Sequence, residues 1–130
     1  MFTNDASKAY RDTHATSSVS GASPHKLVAL LFDACHENLA IAKGAMTRSD
    51  PKKKAEAIKK AMEIVVQLQA VLDFEKGGVI ATRLDDLYTF CTNRLALANV
   101  TNDTAMVDEV FKVIAELKLG WNEIGKEVTP

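Results

Sequence analysis

Ser23-Pro24 and Asp50-Pro51 each set a short capping side chain directly before a proline. Each pair opens a long run of apolar residues at helical spacing. A Ser or Asp oxygen accepts hydrogen bonds from the first free N–H groups of a helix, and proline fits the first turn, where its missing N–H is harmless. After Ser23, Leu27, Val28, Leu30, Leu31, Ala34, Cys35, Leu39, Ala42 and Ala45 recur every three or four residues. That helix is expected to end near Thr47–Ser49. A second starts at Asp50-Pro51, buries Ile58, Ala61, Met62, Val65, Leu68 and Leu72, and runs to about Glu75, where Gly77-Gly78 supplies the stop.

A third helix is expected over roughly Val79 to Ala98, with Ile80, Leu84, Leu87, Tyr88, Cys91, Leu95 and Ala98 on its inner stripe. Asn99 and the polar run Thr101-Asn102-Asp103 break it, and Asp103 caps a fourth helix carrying Val107, Val110, Ile114, Leu117, Trp121 and Ile124. No segment alternates with period two over a useful length, so no strand is expected. Short connections between long helices favour antiparallel neighbours. The fold expected is all-α: an antiparallel up-down four-helix bundle over residues 23–126. Residues 1–22 are read as a flexible N-terminal segment with a short helix around Asp5–Tyr10, and 127–130 as a tail.

The helices carry more apolar surface than one core needs. An ordinary bundle helix shows a stripe little wider than about 100°. The first helix fills more than half its wheel, with Leu30 and Ile41 at one margin and Phe32 and Leu39 at the other. On the second, Ile64 and Val71 lie at an edge and Val66 lies off the stripe. On the third, Phe90 and Leu97 lie two turns apart on a face away from Leu84 and Leu95, flanked by Arg83 and Arg94. Leu119 is the matching outlier on the fourth. Aligned outer apolar residues make a groove that accepts a helix, from a partner or from a second copy in a homodimer. A charge introduced at Phe90 or Leu97 is therefore expected to spare the fold.

Chemistry of other kinds finds little support. His14, His25 and His36 form no ligand motif. Cys35-His36 with Cys91 is a poor metal site, because helical neighbours point about 100° apart. Asp85-Asp86 diverge for the same reason. Gly77-Gly78 lacks the frame of a phosphate cradle, and no Ser, Cys or Lys stands beside an activating partner. The run Lys52-Lys53-Lys54 is read as a solvated helix end, and a net charge of -1 gives no general pull toward nucleic acid. No apolar run reaches the ~18 residues of a membrane span. Two cysteines at apolar helical positions suit free thiols in a reducing cytoplasm. No catalytic, cofactor or metal site is expected.

Taken in order, several short pieces resemble one family. They are Lys8-Ala9-Tyr10, Ala22-Ser23-Pro24 with Leu27, Leu31, Phe32 and Asp33, and Leu72-Asp73 with Glu75-Lys76-Gly77-Gly78. Ile80-Ala81-Thr82 with Leu84, Leu87-Tyr88, Arg94-Leu95, Ala98-Asn99 and Trp121 complete the match. The chain resembles the flagellar secretion chaperone FliS family. It departs from the family's usual pattern at Ser7, at Val79, where an acidic residue is common, and at Phe90, where a tyrosine is common.

The resemblance implies a cytosolic, non-enzymatic chaperone that wraps the disordered C-terminal segment of flagellin around a helical bundle. It also implies that the chaperone keeps flagellin from polymerising early and brings it to the flagellar type III export gate. On that reading Phe90, Leu97, Arg94, Asn99, Leu119 and Val66 contact flagellin. Tyr10 belongs to a mobile segment that covers the groove or meets the gate. Tyr88, Leu95 and Trp121 are read as core.

Overall fold

The computed structural model describes residues 23–128, with side chains described through 125. Tyr10 and the expected N-terminal helix lie outside the described residues. Four helices follow one another: α1 (Pro24–Thr47), α2 (Pro51–Ala70), α3 (Phe74–Thr101) and α4 (Thr104–Val128). Each packs on its neighbours in sequence, and α1 also packs on α4, so the four form a closed ring around one core. The packing is closest between α1 and α2 and sparsest between α3 and α4. This is the expected all-α four-helix bundle.

The capping logic holds where the sequence announced it. Ser23 Oγ accepts from Lys26 N at 3.1 Å, and Asp50 Oδ1 from Lys53 N at 3.1 Å. Asp103 Oδ1 accepts from Ala105 N and Met106 N at 2.9 and 3.3 Å. Each cap satisfies N–H groups that have no partner within the helix.

Between α2 and α3 the sequence expectation fails. The second helix ends at Ala70, not near Glu75, and Gly77-Gly78 does not stop it. Asp73 takes an extended conformation, and its Oδ1 accepts from Lys76 N at 3.0 Å, so that α3 begins at Phe74. The glycines lie inside this new start. Gly78 sits at φ 51° and ψ −127°, a kink between the opening turn and the rest of α3. A side chain there would be strained by the left-handed φ alone. At its other end α3 continues through Asn99 and Val100 to Thr101, and Asn102 caps it at φ 55°. Helix α4 likewise runs through Val128, past the expected boundary at 126.

The core holds the inner residues of all four stripes, with Tyr88, Leu95 and Trp121 fully buried or nearly so. Phe32 and Leu39, read as marginal, are fully buried too. The fourth helix closes over that side of α1: Phe32 lies 6.5 Å from the Trp121 ring. Lys54 is another correction. Lys52 and Lys53 are exposed, but Lys54 is buried, and its Nζ donates to Asn99 O at 3.1 Å and Asn102 Oδ1 at 3.2 Å. Its charge meets the negative end of the α3 dipole instead of opposing that of α2.

Polar contacts along α1 and α4 set their antiparallel register. Lys43 Nζ pairs with Asp108 at 2.7 Å near one end, and Lys118 Nζ pairs with Asp33 at 3.1 Å further along. At the far end His25 and Trp121 clasp one another. Their rings stack at 4.4 Å, His25 Nε2 donates to Trp121 O at 2.7 Å, and Trp121 Nε1 donates to His25 O at 3.0 Å.

Gly125 makes room for this clasp, because a Cβ there would stand 2.5 Å from His25 Cε1. Alanine is the better helix former by about 1 kcal/mol, yet the overlap outweighs it. Gly125→Ala is expected to lose about 1–2 kcal/mol net in urea unfolding. An unchanged midpoint would show that the clasp gives way freely.

Candidate functional site

Seven large apolar side chains stay exposed among the described residues: Leu30, Val66, Phe74, Val79, Leu97, Val100 and Leu119. Four of the seven belong to α3, which makes that helix the candidate site. Its inner stripe is spent on the core through Leu84, Tyr88, Cys91, Leu95 and Ala98. A second line runs along the outside. Val79, Phe90 and Leu97 are separated by eleven and seven residues, close to three turns and two, so they stand above one another along about 27 Å of helix. The line starts immediately after the Gly78 kink.

Phe90 is not as free as the sequence suggested. It is half-buried and packs against the core from the α4 side, with the Arg94 guanidinium 5.2 Å from its ring centroid. Arg94 Nε in turn lies 3.1 Å from Glu109 Oε1 on α4. Phe90, Arg94 and Leu97 thus form one unit at the α3–α4 seam. Val66 flanks the other side of α3: it precedes by one turn Gln69, whose amide donates to Asp85 Oδ1 and Thr89 Oγ1 of α3, each at 3.0 Å.

Two of the residues named from sequence lie elsewhere. The Asn99 carbonyl accepts from Lys54 Nζ, which places Asn99 on the α2-facing side of α3. Leu119 lines a groove of about 280 Å³ with His36, Ala115, Lys118 and Asn122, on the α1–α4 side of the ring. There His36 stacks on Phe111 at 4.3 Å, and Lys43 Nζ stands 4.2 Å over the same ring. Burial, then the Lys118 charge, hold the His36 imidazole below its ordinary range; Asp33 opposes them and Lys43 adds to them.

Sequence reasoning missed Val100 and Phe74. Val100 is 84% exposed but was placed beyond the end of the third helix, and Phe74 was counted into the second. Correct helix ends would have put both on α3.

Among the described residues no three His, Cys, Asp or Glu side chains come together as a metal site, and no helix is long and apolar enough to cross a membrane. The thiols are buried. Burial, with Cys91 nearby, pushes Cys35 up to about 12, and burial, with Glu109 nearby, pushes Cys91 up to about 12. The surface therefore offers apolar contact and a guanidinium, which is the equipment for binding a helix.

Comparison with known proteins agrees on one family. The family model described as flagellar protein FliS matches residues 6–128. The flagellar secretion chaperone FliS of Vibrio cholerae is 39% identical over 120 residues, covering 92% of this chain and 88% of that protein. Flagellar secretion chaperone FliSB of Pseudomonas aeruginosa is 41% identical over 124 residues, 95% of this chain and 98% of its own. The FliS of Salmonella typhimurium is 37% identical over 130 residues, 99% and 96% of the two chains.

Two outcomes follow from the geometry. Leu97→Glu is expected to change stability by no more than about 0.5 kcal/mol, because Leu97 is already exposed, whereas Phe90→Glu loses about 1–3 kcal/mol by charging a half-buried site. Urea unfolding reads both, and equal losses would contradict the placement of Phe90. With both pKa values about 12, on the order of one thiol in 10⁴ is ionised at pH 8. Iodoacetamide should therefore label neither cysteine in the folded chain and both in urea. Unfolding returns the thiols to about 8.5, so their burial stabilises fully below that pH and its contribution fades as pH rises above it. Fast labelling of the folded chain would refute the burial.

Proposed function

The chain belongs to the FliS family of flagellar proteins, and from that membership we propose that it is a cytosolic secretion chaperone for flagellin. It binds the C-terminal segment of flagellin, prevents premature polymerisation and hands its client to the flagellar type III export gate. The observation that carries this reading is the second apolar line of α3, Val79 to Leu97 with Val100 and Val66 beside it, left over after the core is complete.

A client segment that becomes inner helices of a filament carries its own apolar stripes, and these match a stripe better than a closed pocket. Laid along α3, such a helix removes both apolar surfaces from water. Part of the contact energy goes into ordering the client, a cost of several kcal/mol. A net affinity near 1 µM corresponds to about 8 kcal/mol, enough to suppress assembly yet reversible at the gate. Binding by mass action needs no nucleotide and no catalytic group. Tyr10, outside the described residues, is proposed to meet the gate or to cover the groove before the client arrives.

Calorimetric titration of the full chain with a peptide covering the C-terminal segment of flagellin from the same organism tests this. One-to-one saturable binding with a negative heat-capacity change is expected, and Leu97→Glu should weaken it about tenfold. Absence of binding at tens of micromolar (a Kd that leaves less than about 7 kcal/mol) would overturn the reading. The outer surface would then fall to self-association, which sedimentation across concentration measures.

A further inference from the structure

Arg94 stands between Phe90 and Leu97 on the outer line of α3, and its bonding is incomplete. The Nε–H is shielded from water, and Glu109 Oε1, though 3.1 Å away, lies off the N–H direction, so no aligned hydrogen bond forms. A guanidinium offers five donors in a planar fork, and its best partner is a carboxylate that meets two of them side by side. One oblique oxygen is a poor substitute. Meanwhile the Phe90 ring, 5.2 Å from the guanidinium carbon, fixes the plane of the fork. Arg94 is about one-third exposed and Glu109 somewhat more, so a third group can reach the pair.

We propose, resting on the chaperone reading, that Arg94 is the specificity-determining side chain of this surface: it receives a carboxylate from the client helix, and Glu109 is the stand-in that this carboxylate displaces. Apolar residues of the client lie against Val79, Phe90 and Leu97, and an acidic residue among them faces Arg94. In the free chain Glu109 keeps Arg94 extended at the seam. When the client acid takes the fork, Glu109 swings into water, and the number of ion pairs is unchanged. Glu109 therefore weakens binding, both by competing for Arg94 and by repelling the incoming acid. An apolar helix without the acid leaves Arg94 with Glu109 and gains nothing from it. Lysine at this position would not serve, because a point charge has neither the fork nor the flat face that stacks on Phe90.

The test is the same titration with the flagellin C-terminal peptide, using Glu109→Gln, Arg94→Gln and Arg94→Lys, with melting recorded for each. Glu109→Gln is expected to bind about threefold or more tightly than the parent, Arg94→Gln about tenfold more weakly, and Arg94→Lys no better than Arg94→Gln. Client peptides with each acidic residue changed to its amide should include one that loses affinity for the parent chain but not for Arg94→Gln. Unchanged or weaker binding by Glu109→Gln overturns the proposal, as does the lack of any client acid coupled to Arg94. These results would leave the chaperone reading standing, because the parent would still bind. A parent chain that does not bind the peptide at all removes both.

Discussion

Everything in this molecule depends on how four apolar stripes share one core. Each helix has two neighbours in the ring, so its inner stripe is consumed on both sides, and nothing of the core remains to cover an outer stripe. Where small residues line the contact, as with Ala42, Ala45, Ala57 and Ala61 on α1 and α2, the helices approach closely. Helical spacing puts Leu87 and Phe90 on the margin of α3 that faces α4, and Met106 and Val113 on the opposite margin. All four are partly buried and bulkier than alanine, and the α3–α4 packing is the sparsest in the ring. The looseness of that seam and the exposure of Leu97 beside it have one cause, which is the size of the side chains at the α3–α4 margins.

The fold was readable because its signals were local. Ser23-Pro24, Asp50-Pro51 and Asp103 each name a helix start by a single hydrogen-bonding side chain, and all three cap as read. Asp73 was missed because nothing around it breaks the helical period: Val71, Leu72 and Phe74 continue the pattern, and the glycine pair that starts four residues after it drew the boundary instead. The choice between ending a helix at Ala70 or near Glu75 is made by tertiary packing, which buries Leu72 and lets Asp73 turn out to cap the next helix. Lys54 illustrates the same limit. A run of three lysines looks like a solvated end until the end of α3 arrives beside it and offers two oxygens.

The outer apolar surface was legible in kind and only partly in place. That outer grease exists on the third helix follows from its wheel. Which outliers share a surface does not, because a wheel fixes angles within one helix and says nothing of which neighbour stands at each margin. Phe90 and Leu97 share a line on the wheel, yet α4 half-covers the first and leaves the second open. Leu119 looked equivalent to Leu97 in sequence, but the ring order places it in the groove beside α1. Asn99 was chosen for its polarity near the helix end, and in the structure its carbonyl already serves Lys54.

Under the proposed chaperone role, a surface that holds an aggregation-prone helix without itself aggregating faces a conflict, and α3 answers it by interleaving. Between Val79 and Leu97 stand Arg83, Asp86 and Arg94, so no run of the outer line is apolar throughout. A second copy docking in antiparallel fashion would find Arg94 already held by Glu109 on both lines, so the self-pair desolvates charged groups without a new carboxylate to meet them. A client helix with acids among its apolar residues meets no such penalty. The penalty is modest, because exposed charges are screened, but it has the right sign. It separates binding of another chain from binding of self on a stripe whose apolar residues alone would not distinguish them. On the proposed reading the charged residues on this face give the apolar ones their selectivity, and their arrangement in a line on a helix, with no enclosing cavity, would leave a bound segment open for release from either end.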